Sequence, residues 1–236
     1  MNSKQSIVSR LMVHLYPYHQ QDPLDAAFCA HARPGMTVLD AGCGGARGCA
    51  REAPWQQMHI IGADADLAVM NNPFCNEKVV CNLSTLPFGN ESFDLIHCRW
   101  VLEHLENPMK VFREFARVLK PRGVLLALTP NVFHYATIMS RVTPQSFHRW
   151  WLKEQGDTFK VYYRANSASK LRRLCADAGF EISRLDLIEG LPHYFLRFAP
   201  GFLCGVAYER IVNSTEIFRH LRQRIILEAV LLAKDR

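Results

Sequence analysis

The sequence predicts an α/β fold built on a mostly parallel sheet, and three observations lead there. Strand-length apolar runs alternate with helical patterns through the first 130 residues, the rhythm of strands joined by covering helices. The first of these runs opens into a turn with glycine at positions 42, 44, 45 and 48. After Pro130-Asn131 the alternation stops and an aromatic-rich stretch begins. A length of 236 residues with 49% hydrophobic and 21% charged side chains suits one globular domain with a sizeable core.

The elements follow in order. MTVLD at 36–40 is the first strand, set off by Pro34-Gly35. HIIGAD at 59–64, KVVCNL at 78–83, FDLIHC at 93–98 and GVLLALT at 123–129 are the next four. Between the last two, MKVFREFARVLK at 109–120 places Val111, Phe112, Phe115, Val118 and Leu119 on one helical face. Pro121 is expected to end that helix. ANSASKLRRLCADAGF gives a further helix, with Asn166 or Ser167 as its N-cap and Gly179 as its stop. FEISRLDLI at 180–188 alternates like an antiparallel strand and RIILEAVLLA at 224–233 reads as the closing one, for seven strands in all.

Composition narrows the function classes. No apolar run reaches the 18 residues of a membrane span. The N-terminal stretch lacks the apolar core and small-residue cleavage site of a secretory signal, so the cytoplasm is the expected compartment. Eight cysteines show neither a C-x-x-C pair nor iron–sulfur spacing, which predicts no metal and structural roles for most of them. Lys and Arg balance Asp and Glu at 12 each over residues 1–130, against 16 and 10 over 131–236, so the net charge of +6 belongs to the C-terminal part. No block of basic residues exceeds two in a row, which favours scattered solvated charge.

A glycine turn between a strand and a helix gathers backbone N–H groups and the positive end of a helix dipole, and lets a ligand approach the main chain. Here the spacing is Gly42-x-Gly44-x-Ala46, with Asp40 immediately before it. A carboxylate there repels a pyrophosphate and suits a cationic ligand.

VLDAGCGGA resembles motif I of the class I S-adenosylmethionine-dependent methyltransferases. The likeness continues in register across the first 130 residues: IIGADAD after the second strand, NLSTLPFGNESFDLIHCRWVLEHLENP around the third and fourth, and VLKPRGVLLALTPN at the fifth. The resemblance implies a Rossmann-like, doubly wound sheet of seven strands with an antiparallel C-terminal strand and a helical, aromatic insertion after the fifth. It implies a single domain over 1–236: N-terminal helices in 1–35, a cofactor-binding core in 36–130, an acceptor-covering insertion in 131–165, and a C-terminal helix with closing strands in 166–236. It implies S-adenosyl-L-methionine as cofactor, with Asp40, Gly42, Gly44 and Ala46 in the turn, Asp64 on the ribose hydroxyls beside Ala65, Asn82 with Leu83 near the adenine, and Cys98 and Arg99 after the fourth strand. Ala46 replaces the usual third glycine, Asn82 a frequent acid, and Arg122 the middle glycine of PGG. Asn72-Pro73-Phe74 resembles the box of amino-methylating enzymes but follows the wrong strand.

Methyl transfer requires an in-line nucleophile held about 3 Å from the methyl carbon and shielded from water. A hydroxyl acceptor gains from a base, for which His104 and His134 are the candidates, His104 serving equally well as a structural cap of its turn. Asn131, Tyr135, His148, Tyr163 and Arg164 are the candidate acceptor-binding residues, Arg164 being suited to fork onto a phosphate or carboxylate. The aromatic insertion and the segment 189–212 suggest a small-molecule, lipid or saccharide acceptor, O-methylated, and a patch able to rest on a membrane surface. The rival readings are an RNA or protein methyltransferase using the basic C-terminal part, and a non-catalytic cofactor-binding scaffold. No RNA-binding module or basic block is appended, which argues against a nucleic-acid partner. Nothing in the sequence speaks to oligomeric state.

Overall fold

The computed structural model describes residues 22–45, 57–142, 160–190 and 199–233, together with Leu11, His14, Leu15 and Tyr16. Contacts gather the chain into two compact units. One comprises residues 22–132, 159–186 and 225–236; the other comprises 1–21, 133–158 and 187–224.

The larger unit is organised by a seven-stranded sheet. Its strands are β1 (Thr37–Ala41), β2 (His59–Asp64), β3 (Glu77–Val80), β4 (Phe93–Arg99), β5 (Leu119–Pro130), β6 (Phe180–Ile188) and β7 (Arg224–Leu231), in the order β3-β2-β1-β4-β5-β7-β6. The pairs β1–β2, β2–β3, β1–β4 and β4–β5 are parallel, and the closing C-terminal strand is antiparallel. Chain order reverses between β1 and β4, and in open α/β sheets ligands bind at that reversal, outside the carboxyl ends of the strands. Val38 and Leu39 of β1, Leu95 and Ile96 of β4 and Leu125 to Leu128 of β5 are buried on both faces, as central parallel strands require.

Helix α1 (Pro23–His31) starts on Asp22, whose carboxylate accepts the Leu24 N–H. Helix α2 (Pro108–Val118) buries Val111, Phe112, Phe115 and Val118 of the predicted stripe, whereas Leu119, also expected on it, begins β5. It ends before Pro121: Leu119 is already extended, and Pro121 lies in the irregular first residues of β5, beside the register shift between Phe93 and Leu95. The expected stop at the proline is thus corrected, because extended backbone is imposed ahead of a proline. Strand β3 stops at Val80 rather than at 83, since Asn82 folds back, its Oδ1 accepting the Ser84 N–H and its carbonyl the Thr85 N–H. In the helix Ala168–Ala178, Ser167 is the N-cap, accepting the Lys170 N–H.

The smaller unit contains the helices Tyr135–Val142 (α3) and Ala199–Ser214 (α5) and the short 3₁₀ helix Glu216–Leu221; Ala168–Ala178 takes the label α4 by chain order. Among the described residues no helix is long and apolar enough to cross a membrane.

Candidate functional site

Strand β1 delivers Asp40 and Ala41 to the sheet's carboxyl edge, and the chain turns at Gly42 with φ +73°. The Gly42 N–H donates to the Ala63 carbonyl of β2 at 2.7 Å. A Cβ at Gly42 would lie 2.2 Å from Val101 Cγ2, so the turn passes directly against the residue that follows β4. Gly44 also has positive φ, +56°, and among the described residues nothing stands within 4 Å of where its Cβ would be. The turn is therefore closed against the protein at Gly42 and open at Gly44.

Two side chains hold this turn from neighbouring segments. Asp64, at the end of β2, accepts the Gly44 N–H on Oδ2 and the Asp66 N–H on Oδ1, each at 2.9 Å. The fully buried Asn72 donates its amide to the carbonyls of Gly44 at 3.0 Å and Cys43 at 3.4 Å, and accepts the Phe74 N–H. Sequence reasoning set Asn72 aside with its proline box; its value here depends on partners 28 and 29 positions away, which no local pattern marks.

Asp40 itself is buried and meets the Nδ1 of His97, also buried, at 2.8 Å, the two facing each other in the β1–β4 register. A carboxylate only accepts, so Nδ1 carries the proton. Phe28 of α1 presents its edge to the imidazole. His97 was not among the predicted residues; the signal was an imidazole following the apolar Leu95-Ile96 inside FDLIHC.

The remaining predicted cofactor residues are dispersed in character. Ala65 is exposed beside Asp64; Asn82 is exposed and Leu83 buried in the turn after β3. Cys98 is fully buried, its thiol pushed above the ordinary range by desolvation first and then by the charges of Glu103 and Asp40. The Arg99 guanidinium is bound by Asp22 at 3.1 Å and by Asp25, so it anchors the start of α1. Ala46 lies outside the described residues.

Beyond β4 and β5 a buried polar chain forms. Asn166 donates to Thr129 Oγ1 at 2.6 Å, Thr129 donates to the Glu103 carboxylate at 3.1 Å, and the Glu103 carbonyl accepts the N–H groups of Tyr162 and Tyr163. His104 stands on the next position and donates Nδ1–H to the Lys160 carbonyl at 3.1 Å, which places the basic lone pair on Nε2. Asn131 is fully buried in this region. Arg164 donates to the Glu106 carbonyl and stacks over Tyr162, and with Met109, Lys170, Arg173, Leu174 and Asp177 it lines a groove of about 300 Å³.

The smaller unit holds His134 and Tyr135. His134 is buried; its Nδ1 accepts the Ala136 N–H at 3.3 Å and its Nε2 faces Glu189 at 3.5 Å, with the rings of Tyr135 and Tyr208 packed against it. His134 Nδ1 thus already accepts a backbone N–H, and general-base work at that nitrogen would require the contact to open. His148 lies outside the described residues.

Burial and the nearby Glu189 push the Tyr208 hydroxyl up to about 12, and burial with its hydrogen bond to Glu209 does the same for Tyr16. A raised folded value means the protonated form is favoured in the fold, so this stability is complete below the unfolded value of about 10 and is lost as pH rises through about 12. Thermal unfolding followed across that window should show a falling midpoint, and Tyr208→Phe should fall less steeply.

Residues 12–185 match the family model described as a methyltransferase domain. The chain is 36% identical over 116 residues to an uncharacterized methyltransferase of Bacillus subtilis, covering 45% of this chain and 44% of that one. It is 30% identical over 154 residues to a ubiquinone biosynthesis O-methyltransferase of Hahella chejuensis, covering 57% and 64%. The chain thus spans about half to two thirds of the length of these curated relatives. The fold is shared with a Streptomyces coelicolor geranyl diphosphate C-methyltransferase solved with S-adenosyl-L-homocysteine: TM-score 0.57 at 17% identity, over 88% of this chain and 78% of that one.

Proposed function

The chain belongs to the S-adenosylmethionine-dependent methyltransferase family, and from that premise we propose that it methylates an oxygen of a small-molecule or lipid-linked acceptor. One observation carries the cofactor half of this reading: the Asp64 carboxylate and the open Gly44 backbone are joined by a hydrogen bond, so acid and turn form one preassembled cradle. Those residues fit the cofactor: Asp64 would accept from its sugar hydroxyls, the Gly42 to Gly44 backbone would line its approach, and the buried Asp40 would supply negative charge to its sulfonium. The bound cofactor supplies an electrophilic methyl on a positively charged sulfur, which leaves as a neutral thioether.

For the acceptor, His104 is the residue disposed to remove a hydroxyl proton, since its tautomer is set by the Lys160 carbonyl. The groove under Arg164, Lys170 and Arg173 sets three cations and one carboxylate, Asp177 paired with Arg173 at 3.7 Å, beside apolar Met109 and Leu174, and its net positive charge suits an acceptor bearing a phosphate or carboxylate on an apolar body. In the smaller unit Ile138 and Met139 of α3 and Leu203 and Ile211 of α5 stand exposed, which supports a lipid-linked acceptor or contact with a membrane surface.

Incubation of the protein with methyl-labelled S-adenosylmethionine and a cell extract should place the label in the lipid or small-molecule fraction. Label recovered in tRNA or protein would overturn the acceptor class. With the acceptor in hand, His104→Ala should lower kcat by about 10²-fold or more and flatten the acid limb of the pH–rate profile, leaving cofactor affinity unchanged. A variant with wild-type kcat would remove the histidine from the chemistry.

A further inference from the structure

We infer that the structure carries a site for a thiophilic divalent cation of the zinc class, formed by Asp40, Cys43 and Cys75 beneath the glycine turn. One carboxylate oxygen and the two sulfurs all lie within 4.8 Å of one another, and the three residues are buried, at 2%, 5% and 8% exposure. A tetrahedral zinc with Zn–S of about 2.3 Å and Zn–O of about 2.1 Å holds such donors roughly 3.5 to 3.8 Å apart, so the present arrangement closes on a cation with shifts of about an ångström.

Two further features point the same way. The sulfurs occupy the space that a side chain at position 62 would fill: a Cβ at Gly62 would lie 2.6 Å from Cys75 Sγ and 2.8 Å from Cys43 Sγ. A glycine inside a central strand weakens it, and here its effect is to make room for the sulfur pair. Asp40 is oriented by the Nδ1–H of His97, as a ligating carboxylate is held by its outer partners. On binding, two S–H bonds give way to two metal–sulfur bonds and two protons pass to solvent, so affinity rises with pH. Three protein donors leave one position of the tetrahedron for water or an outside ligand.

Cobalt(II) added to the reduced, full-length protein should give a sulfur-to-cobalt charge-transfer band saturating at one equivalent and displaced by zinc. Cys43→Ser and Cys75→Ser should each abolish the band, and Cys175→Ser, in α4, should leave it intact. X-ray absorption on the zinc-loaded wild type, which needs no variant to fold, should count two sulfur neighbours at about 2.3 Å. Absence of the band, its survival in either Cys43→Ser or Cys75→Ser, or a count of three or more sulfurs would overturn the site. A second arm rests on the cofactor reading above: one equivalent of zinc should weaken S-adenosylmethionine binding at least tenfold, because Asp40 and the turn are engaged. Unchanged cofactor affinity with the cobalt band present would remove the coupling and keep the metal site, whereas no cofactor binding at all would count against the function proposed above.

Discussion

Asp64→Ala should weaken S-adenosylmethionine binding by about 100-fold or more in calorimetry, since hydrogen bonds to a charged partner contribute roughly 1.5 to 3 kcal/mol each. The effect has two sources. The carboxylate is the acceptor for the ligand's sugar in the proposed mode, and it is also the acceptor for the N–H groups of Gly44 and Asp66, one on each oxygen. That double engagement makes Asp64→Asn informative. An amide offers one oxygen where two N–H groups approach two different atoms, so one donor would face an NH₂ group. Asp64→Asn should therefore resemble Asp64→Ala in affinity, not the wild type. Tight binding by both variants would show that this carboxylate is not the cofactor's anchor.

Gly42→Ala should destabilise the protein by roughly 2 to 5 kcal/mol and abolish measurable cofactor binding. Positive φ costs an L-residue about 1 to 2 kcal/mol, and forcing a methyl into occupied space costs about 1 to 3 more. The occupied space is specific: Val101 Cγ2 would stand 2.2 Å away, after β4 and far along the chain. Adding Val101→Ala should recover the steric part and leave the backbone part, so the double variant should lie between Gly42→Ala and wild type in thermal unfolding. A Gly42→Ala protein with unchanged midpoint and affinity would mean that the turn is not the tight element described here.

Much of the fold was legible because it is local. Strands β2 and β6 coincide with their predicted ranges, the first as a short hydrophobic run and the second as an alternating segment opened by Gly179. The α2 stripe was equally plain, although its end was misplaced because Pro121 continues into a strand instead of closing a helix. The turn at Gly42 and Gly44 could be found from glycine spacing, and its acid from the end of the next strand. What escaped is non-local. His97 reaches Asp40 across 57 positions, and Asn72 reaches the turn across 28. Cys43 and Cys75 form no sequence motif; one follows β1 and the other precedes β3, and they meet over Gly62 of β2, which pairs with both strands. His134 invited a catalytic reading from its place after β5, and its contacts, Nδ1 on the Ala136 N–H and Nε2 3.5 Å from Glu189 some 55 positions away, are the part no local pattern marks.

The grip of Asn72 and Asp64 on the same few backbone atoms has a kinetic and entropic consequence. A segment fastened from two sides has little freedom left to surrender when a ligand arrives, so the ordering cost of association is met during folding. The Gly44 amide should accordingly exchange slowly with deuterium even in ligand-free protein, and capture of the cofactor should proceed without a detectable rearrangement step.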